Sequence, residues 1–102
     1  MQTFKPKTWI VTRHTGALAF LARLGFTGEH VAHLESAQVK AGDTVIGNLP
    51  LAVIARLQSA QVNYLHLSVE VNIKDRGQEL SADQLESLGA TVRRFHVVEV
   101  AQ

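Results

Sequence analysis

Two short apolar runs, each followed at once by a polar turn and then by a helical pattern, constrain the fold of this chain most. Residues 9–12 form the first run, residues 13–16 form the turn, and apolar residues then recur at helical spacing until Gly25. Residues 44–46 form the second run, and the turn at 47–50 leads into a helix whose first turn accommodates Pro50. A buried strand that runs directly into a helix is the building unit of parallel α/β sheets. The sequence therefore predicts two such units.

The remaining segments complete one α/β domain. We predict a short strand at 30–34, a long strand at 63–71, a helix that starts with the capping box of Ser81 and Gln84 and ends at Gly89, and a charged edge strand at 91–100. The resulting order, β-α-β-β-α-β-α-β, implies an α/β, Rossmann-like three-layer fold with a mostly parallel sheet of about five strands. With 102 residues, of which 46% are hydrophobic, the whole of 1–102 is expected to form a single domain.

Composition and charge exclude several kinds of partner and site. Ten Lys and Arg residues against nine Asp and Glu residues leave a formal charge of +1, so no broad electrostatic footprint for duplex DNA exists. The chain has no cysteine, which excludes disulfides, thiolate catalysis and sulfur-ligated zinc. The first residues lack the continuous apolar segment of a signal peptide, and no window approaches the length of a membrane span. We therefore expect a cytoplasmic protein with no membrane partner.

The turns that follow the parallel strands are the expected ligand site. In such a sheet these turns meet at one edge, and ligands bind there near the point where the strand order reverses. Segments 13–16, 47–50 and 68–79 should converge at this edge. Because the first backbone N–H groups of a helix lack intrahelical partners and carry partial positive charge, the edge suits an anion, and phosphate above all. Neither G-x-G-x-x-G nor a Walker loop is present, so nothing favours an ordinary dinucleotide or a nucleoside triphosphate.

Three residues of these segments are the strongest candidates for chemistry. Arg13 offers a planar cationic fork for bidentate phosphate contacts, or else forms an ion pair with Glu35 or Glu79. His14 is a candidate general acid or base near neutral pH and a candidate nucleophile, or it only caps the helix. Arg76, which a glycine follows, either closes over an anion or is an ordinary solvated charge.

The starts of the two predicted helices carry further polar groups. Thr15 is expected to cap the first helix through its hydroxyl, which would accept from a backbone N–H group of the first turn. Asn48 or Leu49 is expected to stand at the cap of the second helix, immediately before Pro50.

The histidines of the strands have mainly structural interpretations. His66 lies within the apolar strand 63–71, on the same face as Ser68, and we favour a hydrogen-bonded core histidine there. The hydroxyl of Ser68 is left open between a ligand contact and a backbone hydrogen bond. His30 and His33 would point to opposite faces of a strand, so the pair is not predicted to chelate a metal.

Four blocks of this sequence, in their order and spacing, resemble a small accessory protein family of type III CRISPR systems. The blocks are VTRHTGA at 11–17, AGDTVIGNLP at 41–50, YLHLS at 64–68 and RGQELS at 76–81. The family is about the length of this chain and looks like a reduced relative of the CRISPR-associated Rossmann-fold (CARF) sensor domains. The resemblance implies a CARF-like domain that acts as a ring nuclease. Its expected substrate is a cyclic oligoadenylate, in first place cyclic tetra-adenylate, whose cleavage switches off antiviral signalling.

The resemblance also implies the chemistry and the assembly. The ribose 2′-hydroxyl attacks its own adjacent phosphate and leaves a 2′,3′-cyclic phosphate and a free 5′-hydroxyl, without a metal or another cofactor. A homodimer would present two sets of strand-end turns to a ligand of matching symmetry. We assign catalysis to Arg13, His14 and Arg76. Expected ligand contacts are Thr12, Thr15, Gly16, Gly47, Asn48, His66, Ser68 and Glu79.

Other functions stay open at this point. A non-catalytic sensor or sponge would bind the cyclic oligoadenylate and only sequester it. Histidine phosphatases also place an Arg-His pair after the first strand of an α/β domain, although they resemble longer chains with further Arg and His partners in the site. A Rossmann-like interaction module would bind no oligoadenylate at all.

Overall fold

The computed structural model describes residues 5–71 and 77–102, and within them the elements follow the predicted order. The strands are β1 (Thr8–Val11), β2 (Glu29–Val31), β3 (Thr44–Gly47), β4 (Asn63–Ser68) and β5 (Thr91–Arg94). The helices are α1 (Thr15–Arg23), α2 (Leu51–Ser59) and α3 (Ala82–Ser87), with a 3-10 turn at Leu34–Ser36. The strands form one sheet in the order β2-β1-β3-β4-β5. The pairings are parallel except for β4 with β5. The predicted Rossmann-like α/β fold is confirmed.

The helices cover both faces of the sheet, so the described part of the chain has three layers. Residues alternate between the faces along each strand. One face packs Ile10, Ile46 and Leu67 against α1 and α3. The other face packs Trp9, Val45 and Tyr64 against Ile54 of α2 and its neighbours. Because β1 and β3 are buried on both sides, they need the nearly continuous apolar runs that the sequence shows.

The strand order reverses between β1 and β3, which are neighbours in the sheet. The chain leaves β1 through α1 towards β2, and it leaves β3 through α2 towards β4, on the other side. The helices pack against opposite faces, so the two connections diverge and leave a crevice beyond the carboxyl ends of the strands. Val11 pairs with Gly47 in the parallel register, so both turns start from the same level.

Three strands are shorter than predicted. β2 ends at Val31 because His33 already caps the 3-10 turn, and β4 ends at Ser68. β5 ends at Arg94, not at residue 100, because the next residues pair with a helix side chain. Gln58 of α2 donates from Nε2 to the carbonyl oxygen of Phe95 at 2.6 Å, and its Oε1 accepts from the N–H of Val97 at 2.7 Å. The side-chain amide thus takes the place of a neighbouring strand.

The capping prediction is confirmed for α3 and wrong for the other two helices. In α3 the hydroxyl of Ser81 accepts from the N–H of Gln84, and the Gln84 side chain accepts from the N–H of Ser81. In α1 the N-cap is His14, and Thr15 is the first helical residue. In α2 the N-cap is Pro50 itself. Neither N-cap side chain makes a capping hydrogen bond.

Asp43 connects β1 and β3 by hydrogen bonds at the amino ends of the strands, which lie opposite the crevice. The residue is 2% exposed. Its Oδ1 accepts from the N–H of Lys7 at 2.9 Å, and its Oδ2 accepts from the indole N–H of Trp9 at 3.1 Å and from the N–H of Lys40 at 2.9 Å. Burial alone would raise the pKa of Asp43, but the three N–H donors outweigh burial and hold the pKa below its ordinary value. The carboxylate therefore stays ionised inside the fold.

We expect Asp43→Asn to lower the free energy of unfolding by about 2 kcal/mol, because an amide replaces a charged acceptor and turns N–H groups towards N–H donors. Urea denaturation followed by circular dichroism measures the change. Asp83→Asn is the matched control, since Asp83 is exposed and pairs with Arg23 at 2.8 Å, a type of contact that contributes less than about 1 kcal/mol. Equal stability of the two variants would show that the buried carboxylate contributes no more than an exposed ion pair.

The same pair of variants predicts the response to acid. Because the pKa of Asp43 is lowered by folding, its contribution is complete above the unfolded pKa of about 3.9 and is lost as the pH falls through the folded pKa. The stability difference between the wild type and Asp43→Asn should therefore be constant at neutral pH and shrink below about pH 4. A difference that grows on acidification would contradict this account.

Candidate functional site

A cavity of about 550 Å³ opens where the carboxyl ends of β1, β3 and β4 meet. We call it the switch-point cavity. Its volume lies in the range of sites that bind a drug-sized molecule. Apolar side chains from the strands and from α1 form its inner part, among them Val11, Ala17 and Leu67. The exposed polar side chains that line it are Arg13, His14, His33, Glu35, Asn48, Arg56 and Gln78.

Thr12 holds the backbone of the turn after β1. Its N–H donates to the carbonyl oxygen of Val31 at 3.0 Å, and its hydroxyl accepts from the N–H of His14 at 3.1 Å. The carbonyl oxygen of Thr12 lies 2.8 Å from Nε2 of His30. Because a carbonyl oxygen only accepts, His30 carries a proton on Nε2. The turn that presents Arg13 and His14 to the cavity is thus fixed from both sides.

His14 forms a pair with Glu79 at the mouth of the cavity. Nδ1 of His14 lies 2.7 Å from Oε1 of Glu79. The His14 side chain is 52% exposed and the Glu79 side chain is 67% exposed. An ionised carboxylate only accepts, so Nδ1 carries the proton and Nε2 of the neutral ring is left as an acceptor. No hydrogen bond joins Nε2 to any other described residue. A histidine held by a carboxylate in this way has the arrangement of an oriented general base.

Arg13 is the uncompensated cation of this turn. It is exposed, and its guanidinium makes no ion pair or hydrogen bond with a described residue. The alternative ion pairs with Glu35 and Glu79 do not form, because Glu79 contacts His14 and Glu35 makes none within the described ranges. The charge of Arg13 therefore stays available to an anionic ligand.

Arg56 lines the same cavity, and the sequence analysis did not single it out. Pro50, Val53 and Arg56 all line the cavity, and their spacing of three places them on one side of α2. Arg56 is exposed and makes no ion pair with a described residue. The sequence did contain a signal for Arg56. The predicted helix starts at the ligand edge of the sheet and carries this cation in its second turn.

Two helix starts face the cavity. His14 and Pro50, the N-caps of α1 and α2, both line it. Neither N-cap side chain satisfies a backbone N–H of the first turn. The N-cap side chains thus leave the first N–H groups of each helix uncapped, and the positive end of each macrodipole lies at the cavity. This geometry favours an anion at the mouth.

Tyr64 holds the turn after β3 through hydrogen bonds of its hydroxyl group. Its hydroxyl, in a side chain that is 1% exposed, donates to the carbonyl oxygen of Gly47 at 2.9 Å and accepts from the N–H of Leu49 at 3.0 Å. Nδ1 of His66 lies 2.8 Å from the same oxygen, and since the only hydroxyl proton goes to Gly47, Nδ1 must donate. Burial raises the pKa of Tyr64 to about 12 and lowers the pKa of His66. Both groups therefore stay neutral near pH 7.

The structure brings some of the expected ligand contacts together and separates others. Thr12, Arg13, His14, Gly47 and Asn48 line the cavity. Asn48 also donates from Nδ2 to the carbonyl oxygen of Leu67 at 2.8 Å. Thr15, Gly16, His66 and Ser68 do not line the cavity, and Glu79 reaches it only through His14. Arg76 lies outside the described residues.

Gly16 has a packing role. A Cβ atom at this position would overlap the carbonyl oxygen of Leu80, so only glycine permits this approach of α1 to the segment before α3. The contact places Glu79, the residue before Leu80, next to the start of α1. A ligand contact was predicted at Gly16, but the carbonyl oxygen of Leu80 occupies that space.

We expect Tyr64→Phe to lower the free energy of unfolding by about 2 kcal/mol, because the carbonyl of Gly47 and the N–H of Leu49 lose a buried partner. Amide hydrogen exchange measured by NMR should speed up at Leu49 by about tenfold or more, if the turn opens locally. Val45, in the centre of β3, is the internal control. Faster exchange at both amides to the same extent would indicate general destabilisation and not release of the turn.

Within residues 5–71 and 77–102 no helix has both the length and the apolarity to cross a membrane. No group of three or more His, Asp or Glu side chains in the same ranges is arranged to hold a metal ion.

Comparison with known proteins identifies a family. No curated protein and no solved structure gives a significant match to the chain. A family model described as "Putative CRISPR-associated protein (Cas_VVA1548)" matches residues 9–98. The matched region runs from β1 to beyond β5 and includes every residue of the switch-point cavity. The resemblance to a small CRISPR-associated family is thereby confirmed, and the chain belongs to the Cas_VVA1548 family.

Proposed function

We propose that this protein is a ring nuclease that binds and cleaves a cyclic oligoadenylate, with cyclic tetra-adenylate as the expected substrate, and so switches off type III CRISPR antiviral signalling. The observation that carries the proposal is one cavity that combines a guanidinium without an ion pair to any described residue and an oriented histidine. Arg13 is free to bind a phosphate, and His14 is held by Glu79 at 2.7 Å with Nε2 open. Membership of a CRISPR-associated family supports the biological setting.

The proposed reaction is an internal transesterification. The ribose 2′-hydroxyl gives its proton to Nε2 of His14 while its oxygen forms a bond to the adjacent phosphorus. The bond from phosphorus to the 5′-oxygen breaks, and that oxygen takes up a proton from solvent. The products are a 2′,3′-cyclic phosphate and a free 5′-hydroxyl. Glu79 stabilises the imidazolium that forms and keeps Nδ1 protonated throughout.

Stabilisation of the phosphate charge comes from fixed groups. Arg13 supplies a bidentate donor, and the uncapped starts of α1 and α2 supply backbone N–H groups and positive dipole ends. Such donors act without reorganisation as charge builds up on the phosphate oxygens. The apolar inner part of the cavity suits the face of an adenine base.

The size of the cavity supports a homodimer. A volume of about 550 Å³ suits a ligand of the size of one nucleotide or somewhat more, and not a four-nucleotide ring. Two copies related by a two-fold axis would present two such cavities to one ring of matching symmetry. Half of the ring would then lie on each subunit.

A sensor or sponge that only sequesters the ring is the second candidate. The helix starts and Arg13 bind phosphate whether or not His14 transfers a proton, and the His14 side chain is half exposed to water. A phosphohydrolase that uses Nε2 of His14 as a nucleophile is the third. The three functions differ in their products, so one assay separates them.

Purified protein incubated with cyclic tetra-adenylate in the presence of EDTA should yield linear products that end in a 2′,3′-cyclic phosphate. Chromatography with mass detection identifies them. Tight binding with unchanged ligand at enzyme excess would contradict cleavage and favour the sponge. A phosphorylated protein mass after exposure to a phosphomonoester would favour the phosphohydrolase.

Variants of the pair at the cavity mouth should separate chemistry from binding. His14→Ala is expected to lower the single-turnover rate by about 10²-fold or more, because the proton acceptor is lost, and to leave the affinity nearly unchanged. Glu79→Gln should lower the rate less, by about tenfold, because the ring keeps a partner but loses the charge that stabilises the imidazolium. His96→Ala, an exposed histidine outside the cavity, is the matched control. Wild-type rates in His14→Ala would remove the assignment.

Arg13→Ala should weaken binding of cyclic tetra-adenylate by about tenfold or more, because a charge-assisted bidentate contact with phosphate is lost. Fluorescence anisotropy of a labelled ring measures the affinity. Arg94→Ala on β5, which does not line the cavity, is the control. Unchanged affinity in Arg13→Ala would exclude this residue as a phosphate ligand.

A further inference from the structure

The switch-point cavity contains a second cation for which the reaction above has no use. Arg56 lines the cavity from α2, is exposed, and has no ion pair or hydrogen bond with a described residue. Glu35 also lines the cavity and bonds to neither arginine within the described ranges. Within the described residues neither guanidinium has a carboxylate in contact, so both charges can bind an anion at this cavity.

The two arginines reach the cavity from different elements of the fold. Arg13 follows β1 and precedes α1, whose apolar side packs on one face. Arg56 belongs to α2, whose Ile54 packs on the other face. The apolar strand ends, Val11 and Leu67 among them, also line the cavity. A ligand that matches this arrangement has an apolar planar body and two separate anionic groups.

We infer that each chain binds two successive phosphates of a nucleotide strand, with Arg13 at one phosphate and Arg56 at the other, and a base on the apolar surface. The nucleotide class of the ligand rests on the function proposed above. His14 is adjacent to Arg13 in the chain and lies at the start of α1, whereas Arg56 lies on α2. The phosphate at Arg13 is therefore the one that reacts. Arg56 holds the phosphate that does not react. Arg56 therefore determines the length of strand that the site recognises.

This role predicts a particular split between binding and rate. A contact to a phosphate that does not change during the reaction stabilises substrate and transition state equally, so it lowers KM without raising kcat. Arg56→Ala should raise KM for cyclic tetra-adenylate by about tenfold and change kcat by less than about threefold. Arg56→Lys should restore part of the affinity, because the charge remains while the bidentate fork is lost. The substitutions lie on an exposed helix position and favour helix, so the fold is expected to persist.

Binding of two linear probes tests the inference without cleavage. The probes are 2′-deoxyadenosine 5′-monophosphate, with one phosphate, and the 5′-phosphorylated deoxyadenosine dinucleotide, with two; both lack the attacking 2′-hydroxyl. Wild type should bind the dinucleotide more tightly. Arg56→Ala should weaken binding of the dinucleotide by about tenfold and binding of the mononucleotide by less than about threefold. Arg93→Ala, on the edge strand and outside the cavity, should change neither.

The outcomes separate this inference from the proposed function. No preference of the wild type for the dinucleotide, or equal effects of Arg56→Ala on both probes, would overturn the two-phosphate site even if the ring is cleaved. A dinucleotide preference that depends on Arg56, in a protein that leaves cyclic tetra-adenylate intact, would support the two-phosphate site and refute the nuclease.

Discussion

The pairing of β1 with β3 is the constraint on which the rest of the structure depends. From these two strands the chain continues in opposite directions along the sheet. The cavity exists because α1 and α2, which follow them, pack against opposite faces of the sheet. Asp43 makes the pairing specific, since its buried carboxylate accepts three N–H groups from the chain around both strands. A shift of one residue would leave that charge unpaired and exchange the two faces of β1, both of which are costly.

The order of the elements was predictable because its signals are local. Continuous apolar runs mark strands that are buried on both faces, and the capping box of Ser81 and Gln84 specifies the start of α3 within four residues. The errors lie where a distant group competes with the local preference. The strand predicted to reach residue 100 ends at Arg94 because Gln58, 39 residues away from Val97, takes its backbone hydrogen bonds. No pattern within residues 91–100 contains that information.

The candidate site likewise has one part that could be predicted from the sequence and one part that could not. That the turns after β1 and β3 meet at one edge follows from parallel topology alone, so Arg13, His14 and Asn48 could be placed together from the sequence. The contact between His14 and Glu79 spans 65 residues and depends on how closely α1 approaches the segment before α3. Gly16 permits that approach, and its local pattern is equally compatible with a ligand, since both need a residue without a Cβ atom. Arg56 was missed because a cation on a helix surface is ordinary until the neighbouring loops are known.

The position of Trp9 gives the protein a natural optical probe. It is the sole tryptophan of the chain, and its indole N–H donates to Asp43 at the amino ends of the strands, with the ammonium of Lys7 5.2 Å from the ring centroid. The cavity lies at the carboxyl ends of the same strands, and Trp9 is not part of its lining. We expect indole emission to report the integrity of the sheet around Asp43, at the end of the strands away from the cavity. Unfolding can thus be followed through Trp9 whether or not the cavity holds a ligand.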